Sequence, residues 1–235
     1  AAAALHALGI TAVHVFEGSR SRRLLRELAR GGLAGLRVLM HLPHASLEAA
    51  LRLGVRSGAG DPSFRIGAVK LFADGTLGSR TASLLAPYAG TDSTGMDLLA
   101  PHELRAAVAR AACGGLATAV HAIGDRAVRA TLDAFEGAAA ARRDLGLPCR
   151  VEHVQLLDPA DRPRFAALGV AASLQPTHAL SDMAVAERWW PDRLDRAYPW
   201  ASLLESGACL AFGSDAPVAP PEPARTLHAA VLRQR

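Results

Sequence analysis

The sequence predicts an α/β protein, a (β/α)8 TIM barrel left incomplete at about seven strand–helix units, with residues 1–235 forming one partial barrel domain. Short apolar runs alternate with amphipathic helical stretches almost from end to end, which is the pattern of a parallel fold. Seven such units in a row exceed a small doubly wound sheet, and no glycine-rich phosphate fingerprint follows the first run. Ionisable residues also close several of the runs, and in a barrel the C-terminal strand ends converge on one rim.

In chain order the strands are predicted at ITAVHVF, LRVLMHL, IGAVKLF, LATAVHAI, CRVEHVQ, GVAASLQ and CLAFGSD. Between them lie the helical stretches SRSRRLLRELARGG, SLEAALRLGVRSG, PHELRAAVARAACGG, DRAVRATLDAFEGAAAARRDLG and DPADRPRFAALG. PHELRAAVARAACGG opens on Pro101 and closes on a glycine pair, while Asp125 and Asp158 are the predicted N-caps of the last two. The loop from Asp74 to Pro101 is long and rich in Gly, Ser and Thr, and a loop of that length is usually functional. Trp189, Trp190 and Trp200 fall in a second long connection, where they either wall an apolar pocket or pack the loop.

Half of the 235 residues are hydrophobic, enough to bury a full core. The net charge of +4 comes from scattered arginines without a dense basic block, which gives no support to nucleic-acid binding. Cys113, Cys149 and Cys209 are far apart in apolar contexts and read as reduced packing residues. No apolar run reaches the length of a membrane span, and AAAALHALGI lacks the pattern of a signal peptide, so a cytoplasmic location is expected.

Lys70 is the only lysine in a chain that otherwise uses arginine for every fixed positive charge, and it sits inside the apolar run IGAVKLF. An unpaired ammonium is costly to desolvate there, so chemistry that needs an amine explains the exception. Lys70, His121, His153 and Asp215 lie at equivalent ends of four strands. Neutral imidazole and carboxylate are good ligands for zinc and similar ions. A lysine joins such a set if its neutral amine reacts with carbon dioxide to give a carbamate, and burial lowers its pKa in the required direction.

The motifs GAVKLFADGTLGSRTA, AVHAIGDRAV, RVEHVQ and AFGSDAPV, in this order, resemble the amidohydrolase superfamily, most closely its YtcJ-like branch of metal-dependent hydrolases. The resemblance runs over nearly the whole chain. It implies that Lys70 is a carboxylated lysine bridging metal, that His121 and His153 bind metal, and that Asp215 binds metal and moves protons. It also implies a divalent metal cofactor, zinc by expectation, as one or two ions, and hydrolysis of an amide or other non-peptide C–N bond through a metal-activated water. The family's HxH pair on the first barrel strand is absent from this sequence, so ITAVHVF is expected to be the second strand, with the first upstream of Ala1. The family's accessory β-sandwich is not expected within these residues. Hydrolysis of an ester, lactone or cyclic amide, and an inactive barrel that only binds a small molecule, are the alternatives.

Around this set, Arg80 in LGSRTA is expected to clamp an anionic or carbonyl group of a small-molecule substrate, and Gln175 and His178 in LQPTH to line the pocket. Strand alternation turns Glu152 away from His153, toward packing or a supporting hydrogen bond. His14 and His41 end the first two strands, but HLPH has the wrong spacing to stand in for HxH. The partner expected is a small molecule, without nucleic acid or membrane, and the sequence allows a homo-oligomer.

Overall fold

Every predicted apolar run forms a strand: β1 (Ala12–Val15), β2 (Arg37–Pro43), β3 (Phe64–Phe72), β4 (Thr118–Ala122), β5 (Arg150–His153), β6 (Ala171–Leu174) and β7 (Cys209–Phe212). The computed structural model describes residues 2–30 and 35–233, and among these the seven strands form one parallel sheet whose neighbours follow chain order. The sheet curls into a half-barrel with helices between its strands, the incomplete (β/α) barrel that the alternation predicts. In chain order the helices are α1 (Ala2–Ala7), α2 (Ser19–Arg30), α3 (Leu47–Arg52), α4 (Pro101–Cys113), α5 (Asp125–Gly137), α6 (Ala139–Arg142), α7 (Arg162–Ala167), α8 (Pro176–Trp189), α9 (Trp200–Glu205) and α10 (Pro223–Leu232). The glycine pair that closes the first helical stretch lies outside the described residues. Among the described residues no helix is long and apolar enough to cross a membrane.

Register sorts the side chains into two faces, because directly paired residues of neighbouring strands point the same way. Leu71, Val120, Val151, Ala172 and Leu210 are linked in register across five strands. They pack against Leu104 and Val108 of α4, Leu132 and Phe135 of α5, and Phe165 of α7 in one continuous core. Burying each such large side chain contributes about 1.5–3 kcal/mol. The opposite face carries Phe72, His121, Glu152, Ser173 and Ala211, also in register, and this face lines the inside of the curl. The centre of the sheet is the best covered: all of β4 is buried, whereas the edge strands β1 and β7 are largely exposed.

A bulge on β3, opposite His41 of β2, shows how a histidine can serve the sheet. The β2–β3 register shifts between Met40 and Leu42: β3 sets two residues, Gly67 and Ala68, against the single residue His41. Its Nδ1 accepts the Ala68 N–H at 2.9 Å, which answers a backbone donor at the irregular step. The ring fits only because residue 67 is glycine; a Cβ there would stand 2.8 Å from the ring.

Helix ends follow the sequence with one correction. α4 starts at Pro101, Glu103 returns to accept the Ala100 N–H at 2.9 Å, and the helix stops at the glycine pair. Asp158 accepts the Ala160 N–H at 2.9 Å as predicted. Asp125, however, is the first residue of α5 and Gly124 is its N-cap. Its carboxylate takes the Leu85 N–H at 2.8 Å together with the Arg126 N–H of its own helix at 3.0 Å, so it ties the long loop to the start of α5. The second long connection is mostly α8, and within it Trp190 is fully buried. Cys149 is buried, while Cys113 and Cys209 are exposed and all three are free thiols.

Candidate metal centre

The C-terminal ends of β3, β4, β5 and β7 bring the predicted residues to one rim. Lys70 lies two residues before the end of β3 and is buried, with Nζ 4.8 Å from the Phe72 ring centre and 5.0 Å from that of Phe16. Burial lowers its pKa to about 8, opposed by the Glu152 and Asp215 carboxylates. No carboxylate lies within ion-pair distance of it among the described residues. Asp74, the acid nearest in sequence, is turned to backbone donors instead.

His121 and His153 meet ring to ring, their centroids 4.6 Å apart and their planes nearly perpendicular. His153 reaches the rim through an unusual backbone: φ is 80° at His153 and 46° at Val154, both in the left-handed region. That twist turns the ring out of the strand's plain alternation. Burial holds the His121 pKa down at about 4 and the His153 pKa well below its ordinary value, so both rings are neutral with one lone pair each. Hydrogen bonds decide which nitrogen keeps it. His121 Nε2 lies 2.9 Å from the Gly75 carbonyl oxygen, which can only accept, so Nε2 carries the proton and Nδ1 the lone pair. His153 Nδ1 lies 2.7 Å from Gln175 Oε1, which leaves Nε2 open.

His178, in the first turn of α8, completes the group. The ligand atoms of His153, His178 and Asp215 all lie within 4.8 Å of one another. His178 is buried, and its Nε2 has no hydrogen-bond partner among the described residues. Asp215, three residues beyond β7, is exposed and has φ of 54°; burial of its carboxyl nonetheless raises its pKa, opposed by His178 and Lys70. An orphaned buried nitrogen facing a second imidazole and a carboxylate fits a divalent cation with nitrogen and oxygen preference.

The other predicted residues divide. Gln175 is buried and spent on His153 and on the Ser173 carbonyl at 3.3 Å, so it orients a histidine. Arg80 is exposed on the long loop, its guanidinium 4.8 Å from the Trp189 ring centre. Glu152 faces the inside of the curl, where Oε1 lies 2.5 Å from Arg150 Nε. Arg150 spans that interior to His14 Nδ1 at 2.8 Å and His41 Nε2 at 3.1 Å, so both early histidines are engaged away from the rim.

Sequence reasoning missed Asp74. It is fully buried, and burial pushes its pKa up to about 7 despite three backbone N–H donors. Its one legible signal is position, four residues after Lys70 in a stretch that ends in glycine.

The amidohydrolase family model matches residues 1–235. The chain belongs to the amidohydrolase family. It is 36% identical over 208 residues to the "Putative amidohydrolase YtcJ" of Bacillus subtilis (strain 168), covering 88% of this chain and 38% of that protein. It is 26% identical over 172 residues to the N-substituted formamide deformylase of Arthrobacter pascens, covering 72% of this chain and 31% of the enzyme. The crystal structure of an uncharacterized metal-dependent hydrolase from Pyrococcus furiosus superposes with a TM-score of 0.87 at 34% identity, over 99% of this chain and 48% of that one. The chain thus spans less than half the length of each of these relatives.

Proposed function

We propose that this chain supplies most of the active-site rim of a metal-dependent hydrolase that cleaves an amide or other non-peptide C–N bond. The observation that carries the reading is the convergence of His153, His178 and Asp215 within 4.8 Å, with the His178 nitrogen buried and unpartnered. His121, with Nδ1 free, and Lys70 stand beside that group and extend the donor set. A divalent cation held there, zinc by the donor chemistry, would polarise the scissile carbonyl and make a water more acidic. Lys70, with its pKa lowered to about 8, has an appreciable neutral fraction and can take up carbon dioxide as the bridging carbamate. Asp215, its pKa raised by burial, is suited to accept the proton of the attacking water and return it to the leaving nitrogen. Arg80, exposed near Trp189, would meet a substrate's carbonyl or anionic group in this reading. The name of the Arthrobacter pascens relative, an N-substituted formamide deformylase, favours the C–N bond over the ester and lactone alternatives.

The test is metal content per chain of the full-length protein, prepared with zinc and bicarbonate and dialysed, beside His178→Ala, followed by a panel of N-acyl, formamide, ester and lactone substrates. The reading expects zinc in the parent, a loss in the variant, and turnover concentrated in the amide part of the panel. A full-length parent that holds no metal would overturn it.

A further inference from the structure

We propose that Asp74 is a positioning residue for the metal centre, fixing which nitrogen of His121 is left to face a cation. The proposal rests on the reading of His121 as a ligand. Asp74 has no solvent exposure and accepts three backbone N–H groups: Ser83 and Gly124 on Oδ2, each at 2.8 Å, and Ile123 on Oδ1 at 3.0 Å. These donors belong to two separate places, the middle of the long loop and the chain just after β4. One carboxylate therefore ties the loop to the strand end that carries His121. The next residue along, Gly75, has its carbonyl oxygen 2.9 Å from His121 Nε2, while Asp74 Oδ1 stands 3.6 Å from the same nitrogen. Both neighbours of Nε2 are acceptors, which stabilises the tautomer with the proton on Nε2 and the lone pair on Nδ1.

The packing leaves little freedom for the knot to shift. A Cβ on Gly75 would lie 1.9 Å from Thr81 Oγ1, and one on Gly124 would lie 2.1 Å from the Ser83 carbonyl oxygen. Thr81 closes the turn that presents the Gly75 carbonyl, accepting the Thr76 N–H at 3.0 Å through its hydroxyl and the Gly75 N–H at 3.1 Å through its own carbonyl. An amide in place of the carboxylate would turn an NH2 group toward at least one of the three N–H donors, and a buried donor facing a donor is unfavourable. Asn at this position therefore keeps the shape and breaks the arrangement.

The experiment uses the full-length protein with 15N-labelled histidine, metal-free and then titrated with zinc alone, with the His121 signals assigned through His121→Gln. In the parent, His121 is expected to be protonated on Nε2 in the metal-free state. In Asp74→Asn the tautomer signature is expected to become mixed and the zinc Kd to rise by about 10–100-fold. Thr81→Val, which loosens the turn without touching the buried carboxylate, is expected to move both readouts the same way by less. A parent protonated on Nδ1 overturns the proposal even if no variant folds. A folded Asp74→Asn with lowered Tm but unchanged tautomer and zinc Kd also overturns it, since that is what a purely structural role produces. If His121→Gln binds zinc as the parent does, His121 is no ligand, and the tautomer comparison still decides whether Asp74 sets its protonation.

Discussion

Lys70 shows what a single side chain can be asked to do in an otherwise lysine-free chain. Guanidinium neither reacts with carbon dioxide nor ligates metal, so Lys70→Arg in the full-length protein is expected to retain the positive charge and lose bound zinc, read by elemental analysis. Asp215→Asn removes the proton carrier while keeping its volume. Turnover is expected to fall by at least about 100-fold with an unchanged Tm, and near-normal activity would take Asp215 out of the proton path. The residues behind these expectations were legible because each is a polar exception at the end of an apolar run. Gln175 and His178 were legible as neighbours of the rim, but not in their partners. Their places depend on the first turn of α8 and on the left-handed backbone at His153, and neither leaves a mark in composition or spacing.

Among the elements, the strands could be read and the long loop could not, for a physical reason. Strands announce themselves through side-chain alternation and apolar runs, whereas the loop is ordered by backbone donors gathered on Asp74 from 9, 49 and 50 residues away. Any residue type except proline can supply a backbone N–H, so sequence carries almost no trace of that arrangement. The N-cap fell to Gly124 rather than Asp125, whose carboxylate joins the loop's Leu85 N–H to the helix's own Arg126 N–H, again through backbone donors. Gly124 marks where loop and strand end touch most closely, with an added Cβ 2.1 Å from a carbonyl oxygen that cannot swing away. Its φ of −81° is ordinary, so Gly124→Ala tests crowding alone. It is expected to cost about 1–3 kcal/mol, seen as a lower urea midpoint at unchanged m, and the zinc site is expected to weaken with it.

Across the whole molecule, His41 and His121 are buried and His153 is half-buried, and the acid stability should record that. His14, His41, His121 and His153 all have lowered pKa values, with burial the leading cause in each case. For His41 the folded value is about 2 against an ordinary 6.5. Between these values the unfolded chain binds a proton that the folded chain refuses, so the stability His41 contributes is fully present above about pH 6.5 and is lost as pH falls below it. Asp74 works in the opposite direction: its raised pKa of about 7 means the folded chain takes up a proton before the unfolded chain does, which favours folding as pH falls toward the ordinary carboxylate range. The net slope of the parent mixes both signs, so a difference between two proteins is the informative quantity. His41→Asn keeps an acceptor for the Ala68 N–H and removes the titrating ring. In metal-free protein, unfolding by urea at pH 6 and pH 5 is expected to show the parent losing up to about 1.4 kcal/mol per pH unit relative to the variant. Parallel pH profiles for the two proteins would show that the His41 ring is protonated inside the folded barrel, and that the Arg150 guanidinium beside it does not keep it neutral.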